Sequence, residues 1–203
     1  MRLLVSALLA MLLAGMGYAH RLDEYLQATL LAPDKDGVEV QLQLTPGVAV
    51  LPLVLPLIDR NSDGRISPEE ETSYARWVAN DLELRLDGRV VSLEVIEKEF
   101  SSLDQMREGL GGIRLKLRGK GYGRELRFKN RHLPELSAYL VNCLASEGLS
   151  TGTPMRDEAQ RSIGFVYSVA GAETLSRLLY PAAFGLAGLG ALLSLRRVRS
   201  LFL

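Results

Sequence analysis

An antiparallel β-sandwich interrupted by one helix–loop–helix is the fold this sequence predicts, and three observations predict it. Short alternations of apolar and polar residues recur through most of residues 20–174, the period-two signature of strands with one buried face. Turns rich in Asp and Gly separate them. One stretch, 48–80, drops period two for helical spacing. The chain is therefore mainly β, with a helical hairpin inserted between sheet strands and, at its C-terminal end, one further apolar helix suited to crossing a membrane.

The elements follow in chain order. Residues 1–19 read as a secretory signal peptide: Arg2 is the positive start, Leu3 to Leu13 the apolar stretch, and Gly17 and Ala19 the small residues of a cleavage site before His20. A strand around Tyr25 to Leu31 turns through Pro33-Asp34-Lys35-Asp36-Gly37 into Val38 to Leu44. Leu82 to Leu86 runs into Asp87-Gly88, a hairpin signal, and returns through Val91, Leu93 and Val95. A second hairpin is expected to pair Ile113 to Leu117 with Leu126 to Phe128 across a glycine-rich turn. Ser137 to Ala145 and Ile163 to Val169 complete about eight strands.

Within 48–80, Val50 to Ile58 is apolar on nearly every side and, as a helix, is expected to be buried. Pro52 can open that helix, but Pro56 breaks a bond inside it. Ser67-Pro68-Glu69-Glu70 starts the next helix, with Ser67 as N-cap, Pro68 in the first helical position and Glu70 closing a capping box. Tyr74, Trp77, Val78 and Leu82 then form a stripe expected to pack in the core.

After the domain, Leu178 to Leu195 is eighteen residues without a charge, about 27 Å long as a helix. Arg196, Arg197 and Arg199 follow at once, so 196–203 reads as a basic cytoplasmic tail and 178–195 as a stop-transfer helix. The expected protein is a single-pass inner-membrane one with its domain in the periplasm or outside. Ala183, Ala187 and Ala191, four apart on one face, would allow two such helices to approach closely as a homodimer. Of 24 Lys and Arg, all but Arg2, Arg196, Arg197 and Arg199 lie in 20–177, which leaves 20 against 24 Asp and Glu, a net of −4. That balance points away from nucleic acid. The lone Cys143 can form no internal disulfide.

The chemistry lies in Asp59-Arg60-Asn61-Ser62-Asp63-Gly64-Arg65-Ile66-Ser67-Pro68-Glu69-Glu70. Calcium is a hard cation that takes six to eight oxygens in a flexible cage. Asp59, Asn61 and Asp63 at alternate positions offer side-chain oxygens, Gly64 permits a sharp turn, and the carbonyl of Arg65 is a fourth ligand. Ser67 acts directly or through water, and Glu70 offers both oxygens from the first turn of the exiting helix. Ile66 packs inward. The loop resembles the EF-hand family at each ligand position. An Asp/Asn/Gly surface turn before a capped helix would explain the turn and the cap, but not Asp59, Asn61, Asp63, Gly64 and Glu70 together at the first, third, fifth, sixth and twelfth positions. The proline-strained first helix and the absence of a second hand set the expected affinity at about 10⁻⁴ to 10⁻³ M.

Further stretches carry a wider resemblance: His20 to Ala28, Leu44-Thr45-Pro46-Gly47-Val48, Met106 to Leu110, Asn130-Arg131-His132 and Tyr139 to Asn142. These resemble a family of exported bacterial EF-hand proteins over nearly all of the exported domain. The resemblance implies a periplasmic calcium-binding domain and nothing catalytic. No Ser-His-Asp, Cys-His or paired-carboxylate constellation stands out, so no enzyme is expected.

Two other features of the sequence carry readings of their own. His20, as a mature N-terminus, could chelate copper or nickel through its amine and imidazole with His132 adding a second ring; against it, His20 is merely the first residue and His132 a polar loop group. Arg114, Lys116 and Arg118, with Arg127, Lys129 and Arg131 on the facing strand, could touch anionic lipid head groups, or form a solvated face balanced by acids.

Overall fold

A computed structural model describes residues 23–144 and 148–169. The expected signal peptide, the mature terminus at His20, the 178–195 helix with its alanines, and the basic tail all lie outside the described residues. Among the described residues no helix is long and apolar enough to cross a membrane.

The chain runs β1 (Tyr25–Pro33), β2 (Gly37–Pro46), α1 (Leu51–Ile58), α2 (Pro68–Asp81), β3 (Leu82–Leu86), β4 (Arg89–Val91), β5 (Leu93–Phe100), α3 (Leu103–Arg107), β6 (Ile113–Lys120), β7 (Glu125–Asn130), β8 (Ser137–Cys143), β9 (Leu149–Thr151), β10 (Met155–Arg156) and β11 (Ser162–Val169). A five-stranded sheet has the order β5-β6-β2-β1-β8, and the second has β10-β11-β7-β3-β4 with β9 on β11. The pairings are antiparallel, with one exception: β1 and β8 run parallel, Tyr25 opposite Ser137 through Leu31 opposite Cys143.

Period two decides which side chains meet between the sheets. Val40, Leu42 and Leu44 of β2 stand opposite Leu117, Leu115 and Ile113 of β6, and all six are buried. From the second sheet Leu84 opposes Phe128, which opposes Ile163 in turn. These two inner faces belong to one core cluster.

The strand pattern assigned faces correctly and two partners wrongly. The expected hairpin of Ile113–Leu117 with Leu126–Phe128 does not form: β6 pairs with β5 and β2, while β7 pairs with β3 and β11. The glycine-rich segment between them carries the chain from one sheet to the other. Gly119, near the end of β6, lies close against the other sheet: a Cβ there would stand 2.6 Å from Leu84. The return after Asp87-Gly88 likewise divides. Its first residues pair with β3, and Leu93 onward joins the other sheet.

The basic stripes therefore lie on different sheets. Arg114 pairs with Glu99, Lys116 with Glu97 at 2.7 Å and Arg118 with Asp34 at 2.6 Å on the first sheet. Arg127 pairs with Glu125 and Arg131 with Glu83 on the second. Apart from Lys129, these are faces balanced by acids, and they form no single lipid-facing patch.

The strand directions give the sandwich two unlike ends. Tyr25 pairs with Pro46, Leu44 with Ile113, Ile113 with Phe100, and Leu82 with Asn130, so α1, α2, α3 and the β7–β8 connection gather at one end. The Asp34–Gly37, Asp87–Gly88 and Gly119–Arg124 turns, with Val169 closing β11, mark the other. At the helical end α2 covers the inner side of β5, where Lys98 reaches Glu71 at 2.6 Å and Phe100 packs edge-on to Tyr74.

Candidate metal centre

Helix α1 begins with Pro52 in its first turn and contains Pro56, as the sequence predicts. It is not buried on every side. Leu51, Val54 and Ile58 point into the core, whereas Leu53 is 58 % exposed and Leu57 36 %. An apolar sequence alone marks both faces of such a helix alike, and only tertiary packing chooses between them.

At the end of α1 the Asp59 N–H still bonds to the Leu55 carbonyl at 2.8 Å, and its φ/ψ of −82°/84° then leaves the helix. The chain turns back through two left-handed residues, Ser62 at φ 59° and Gly64 at φ 80°. Only glycine takes that conformation without cost, which is why the sixth loop position is Gly64. Ser67 is an N-cap with both halves of its capping box made: its hydroxyl accepts from Glu70 N, and Glu70 accepts from Ser67 N at 2.9 Å.

Inside the loop the oxygens face backbone N–H groups. Asp59 accepts from Asp63 N at 3.2 Å and Gly64 N at 3.0 Å. Asn61 Oδ1 accepts from Asp63 N at 3.0 Å, and Asp63 Oδ1 from Arg65 N at 2.8 Å. Glu70 Oε1 reaches back across the whole loop to the N–H groups of Arg60 at 2.9 Å and Asn61 at 3.3 Å. The twelfth position is thereby fastened to the backbone just after the first. Asp59 and Glu70 are 4 % and 9 % exposed, while Asn61, Asp63 and Arg65 stand in solvent and Ser67 and Ile66 are half-buried.

As placed, no group of three or more His, Cys, Asp or Glu among the described residues stands close enough to hold an ion. The donor set nevertheless fits a hard cation: every group is an oxygen, two of the carboxylates are nearly buried, and Asp59, Asp63 and Glu70 make no ion pair among the described residues. Buried carboxylates with no cation are costly unless hydrogen-bonded or neutralised. Hydrogen bonds from the Ser67 backbone and hydroxyl, then from Asn61 and Arg60, hold the Glu70 carboxyl below its ordinary range. To grip an ion with both oxygens Glu70 must give up the bonds of Oε1 to Arg60 N and Asn61 N and of Oε2 to Ser67.

A second constellation lies behind the loop, and only part of it was anticipated. Tyr74 of α2 is core, as its stripe predicts, yet its hydroxyl bonds to Tyr25 at 2.8 Å and to His132 Nε2 at 3.0 Å. His132 Nδ1 bonds to Asp81 Oδ2 at 2.8 Å. Below the ring Gln27 accepts from Asn130 at 2.7 Å and donates to the His132 carbonyl at 2.8 Å, and Asn130 Oδ1 accepts from His132 N at 2.9 Å. His132 is thus no surface loop group. It is fully buried, with the Trp77 ring edge-on at 4.7 Å, and both ring nitrogens are engaged. The spacing of Tyr25, Tyr74, Asp81 and His132 carries no signal of this, since it joins three separate segments: β1, α2 and the β7–β8 connection. Burial pulls the His132 pKa below its ordinary value against the opposing influence of Asp81. Compared with family models, curated proteins and solved structures, the chain matches none.

Proposed function

We propose that Asp59–Glu70 binds calcium in an exported, membrane-tethered domain, where the ion stabilises the fold or serves as a weak sensor of external calcium. Asp59, Asn61, Asp63, Ser67 and Glu70 would supply side-chain oxygens, and Arg65 its carbonyl. The observation that carries this reading is the closure of the loop by two nearly buried carboxylates, Asp59 and Glu70, neither of them ion-paired to a Lys or Arg among the described residues. The competing reading, a copper or nickel site, loses support because His132 is buried with both nitrogens in use. The role is one of binding and support rather than catalysis.

The test is thermal unfolding of the full-length protein in detergent, with calcium and with chelator. At about 10 mM calcium and a Kd near 10⁻⁴ M, binding to the folded state contributes roughly 2.7 kcal/mol, or a rise in Tm on the order of 5–11 °C. Glu70→Gln keeps a capping partner for Ser67 but loses a charge, and it should remove most of that rise. Asp59→Ala should do the same. Magnesium should substitute poorly, because it demands a tighter octahedral shell. Identical melting in calcium and in chelator would end the calcium reading. Release from membranes by alkaline carbonate would end the anchor reading.

A further inference from the structure

The hydroxyls and the imidazole at the helical end form a chain that runs in one direction. With His132 neutral, its Nδ1–H donates to Asp81 and its Nε2 accepts from the Tyr74 hydroxyl, whose oxygen in turn accepts from Tyr25. Every donor then has an acceptor. A second proton on the ring reverses the chain, because Nε2–H must donate to Tyr74. The Tyr74 hydrogen then turns to Tyr25, and the Tyr25 hydroxyl hydrogen is left inside the core. Tyr25 is fully buried, and its hydroxyl has no partner but Tyr74 among the described residues. A buried donor without an acceptor costs on the order of 1–3 kcal/mol.

Both ends of this chain that grip the ring come from one helix. Tyr74 and Asp81 lie on α2, one turn and three turns after Glu70. Breaking their hold on His132 loosens the helix whose first turn carries the last calcium oxygen. We propose that His132 is a proton-binding site that opposes calcium: a proton taken by its ring undocks α2, and with it Glu70, from the sandwich. This rests on the calcium reading given above.

The surroundings of the ring favour the neutral form. From α2 it meets Tyr74, Trp77 and Asp81, and from β1, Tyr25; Asn130 of β7 and Tyr139 of β8 bond to the His132 backbone instead, the Tyr139 hydroxyl donating to its carbonyl at 2.8 Å. Arg131, the neighbouring cation, is turned away to Glu83. Asp81 is the one charged group acting on the ring, and burial outweighs it. A folded-state pKa lowered from 6.5 means that this contribution is whole above pH 6.5 and is drawn down as pH falls from there to the lower folded value. Glu70 stays ionised through that window, since its own pKa is shifted down from 4.5.

The experiment is calorimetric calcium titration of the full-length protein in detergent at pH 7.5 and 5.5, with melts in chelator at both. Wild-type calcium affinity should fall several-fold, up to about tenfold for the unit below pH 6.5 if one proton is exchanged. His132→Gln, which keeps a donor and an acceptor but cannot titrate, should bind with little change between the two. Should that variant fail to fold, an NMR titration of the wild-type His132 ring in calcium and in chelator decides instead: calcium should lower the pH at which the ring takes its proton, and an equal midpoint in both overturns the proposal. Equal pH dependence in wild type and His132→Gln overturns it too, as does wild-type affinity that is indifferent to pH. Absence of calcium binding at pH 7.5 defeats the calcium reading and the linkage with it. The chelator melts then separately decide whether His132 takes the proton, by a larger acid loss of Tm in wild type than in His132→Gln.

Discussion

The two ends of the sandwich are built on different principles. At the turn end, short glycine-bearing loops close strands at van der Waals contact: Gly37 lies so near the Gly119 carbonyl that a Cβ would stand 2.1 Å from it. At the helical end, three helices and a buried polar cluster span wider gaps, with two capping boxes at Ser67 and Ser102. At the Gly37–Gly119 contact the turn end has no room for a side chain. The helical end holds side chains that can rotate or exchange protons while the sheets stay put, and the loop oxygens are there.

Substitutions can break this contrast. The largest effect is expected from Ile58→Ala, which empties a fully buried site beside Asp59. It should cost about 2–5 kcal/mol in chemical denaturation and reduce the calcium-induced rise in Tm. Gly37→Ala at the other end should cost about 1–3 kcal/mol by overpacking and leave the calcium-induced rise intact. If that rise shrinks as well, the two ends are not independent. Ser67→Ala should cost about 1 kcal/mol through the lost N-cap and weaken calcium, because Ser67 is both cap and ninth loop residue. Ser102→Ala loses a comparable cap on α3 and should leave calcium binding alone. The smallest effect belongs to Leu53→Asn, on the exposed side of α1, within about 0.5 kcal/mol of wild type.

The sequence was most informative where chemistry is local. Tyr25–Leu44 as a hairpin, the Ser67 cap and the turn at Gly64 all depend on neighbours within a turn or two, and the structure has the hairpin, the cap and the left-handed glycine where they are expected. Alternation named inner residues such as Leu115 and Leu126, but it says nothing of which sheet a strand joins. Alternation alone therefore pairs β6 with β7, where the structure pairs β6 with β5 and β2 and β7 with β3 and β11. Helix α3 went unforeseen because five residues carry too little periodicity, although Ser102 and Gln105 spell a capping box. His132 was beyond reach for a stronger reason. Its burial is decided by Tyr25, Tyr74 and Asp81, which approach it only after both sheets have formed.

The parallel pairing of β1 with β8 bears on how the chain acquires its shape. Tyr25 and Ser137 are more than a hundred residues apart, with β2 through β7 between them. Closing so long a loop is entropically unfavourable until other contacts have formed. High contact order of this kind slows folding. The β1–β2 hairpin can assemble as soon as those residues are free, but one flank of β1 stays open until residue 143 has followed. During that interval Leu26, Ala28 and Leu30 border an unfilled strand edge, the usual template for association between chains. Domains released before β8 is available should therefore aggregate, and the yield of native protein should depend on how quickly the last strands follow the first.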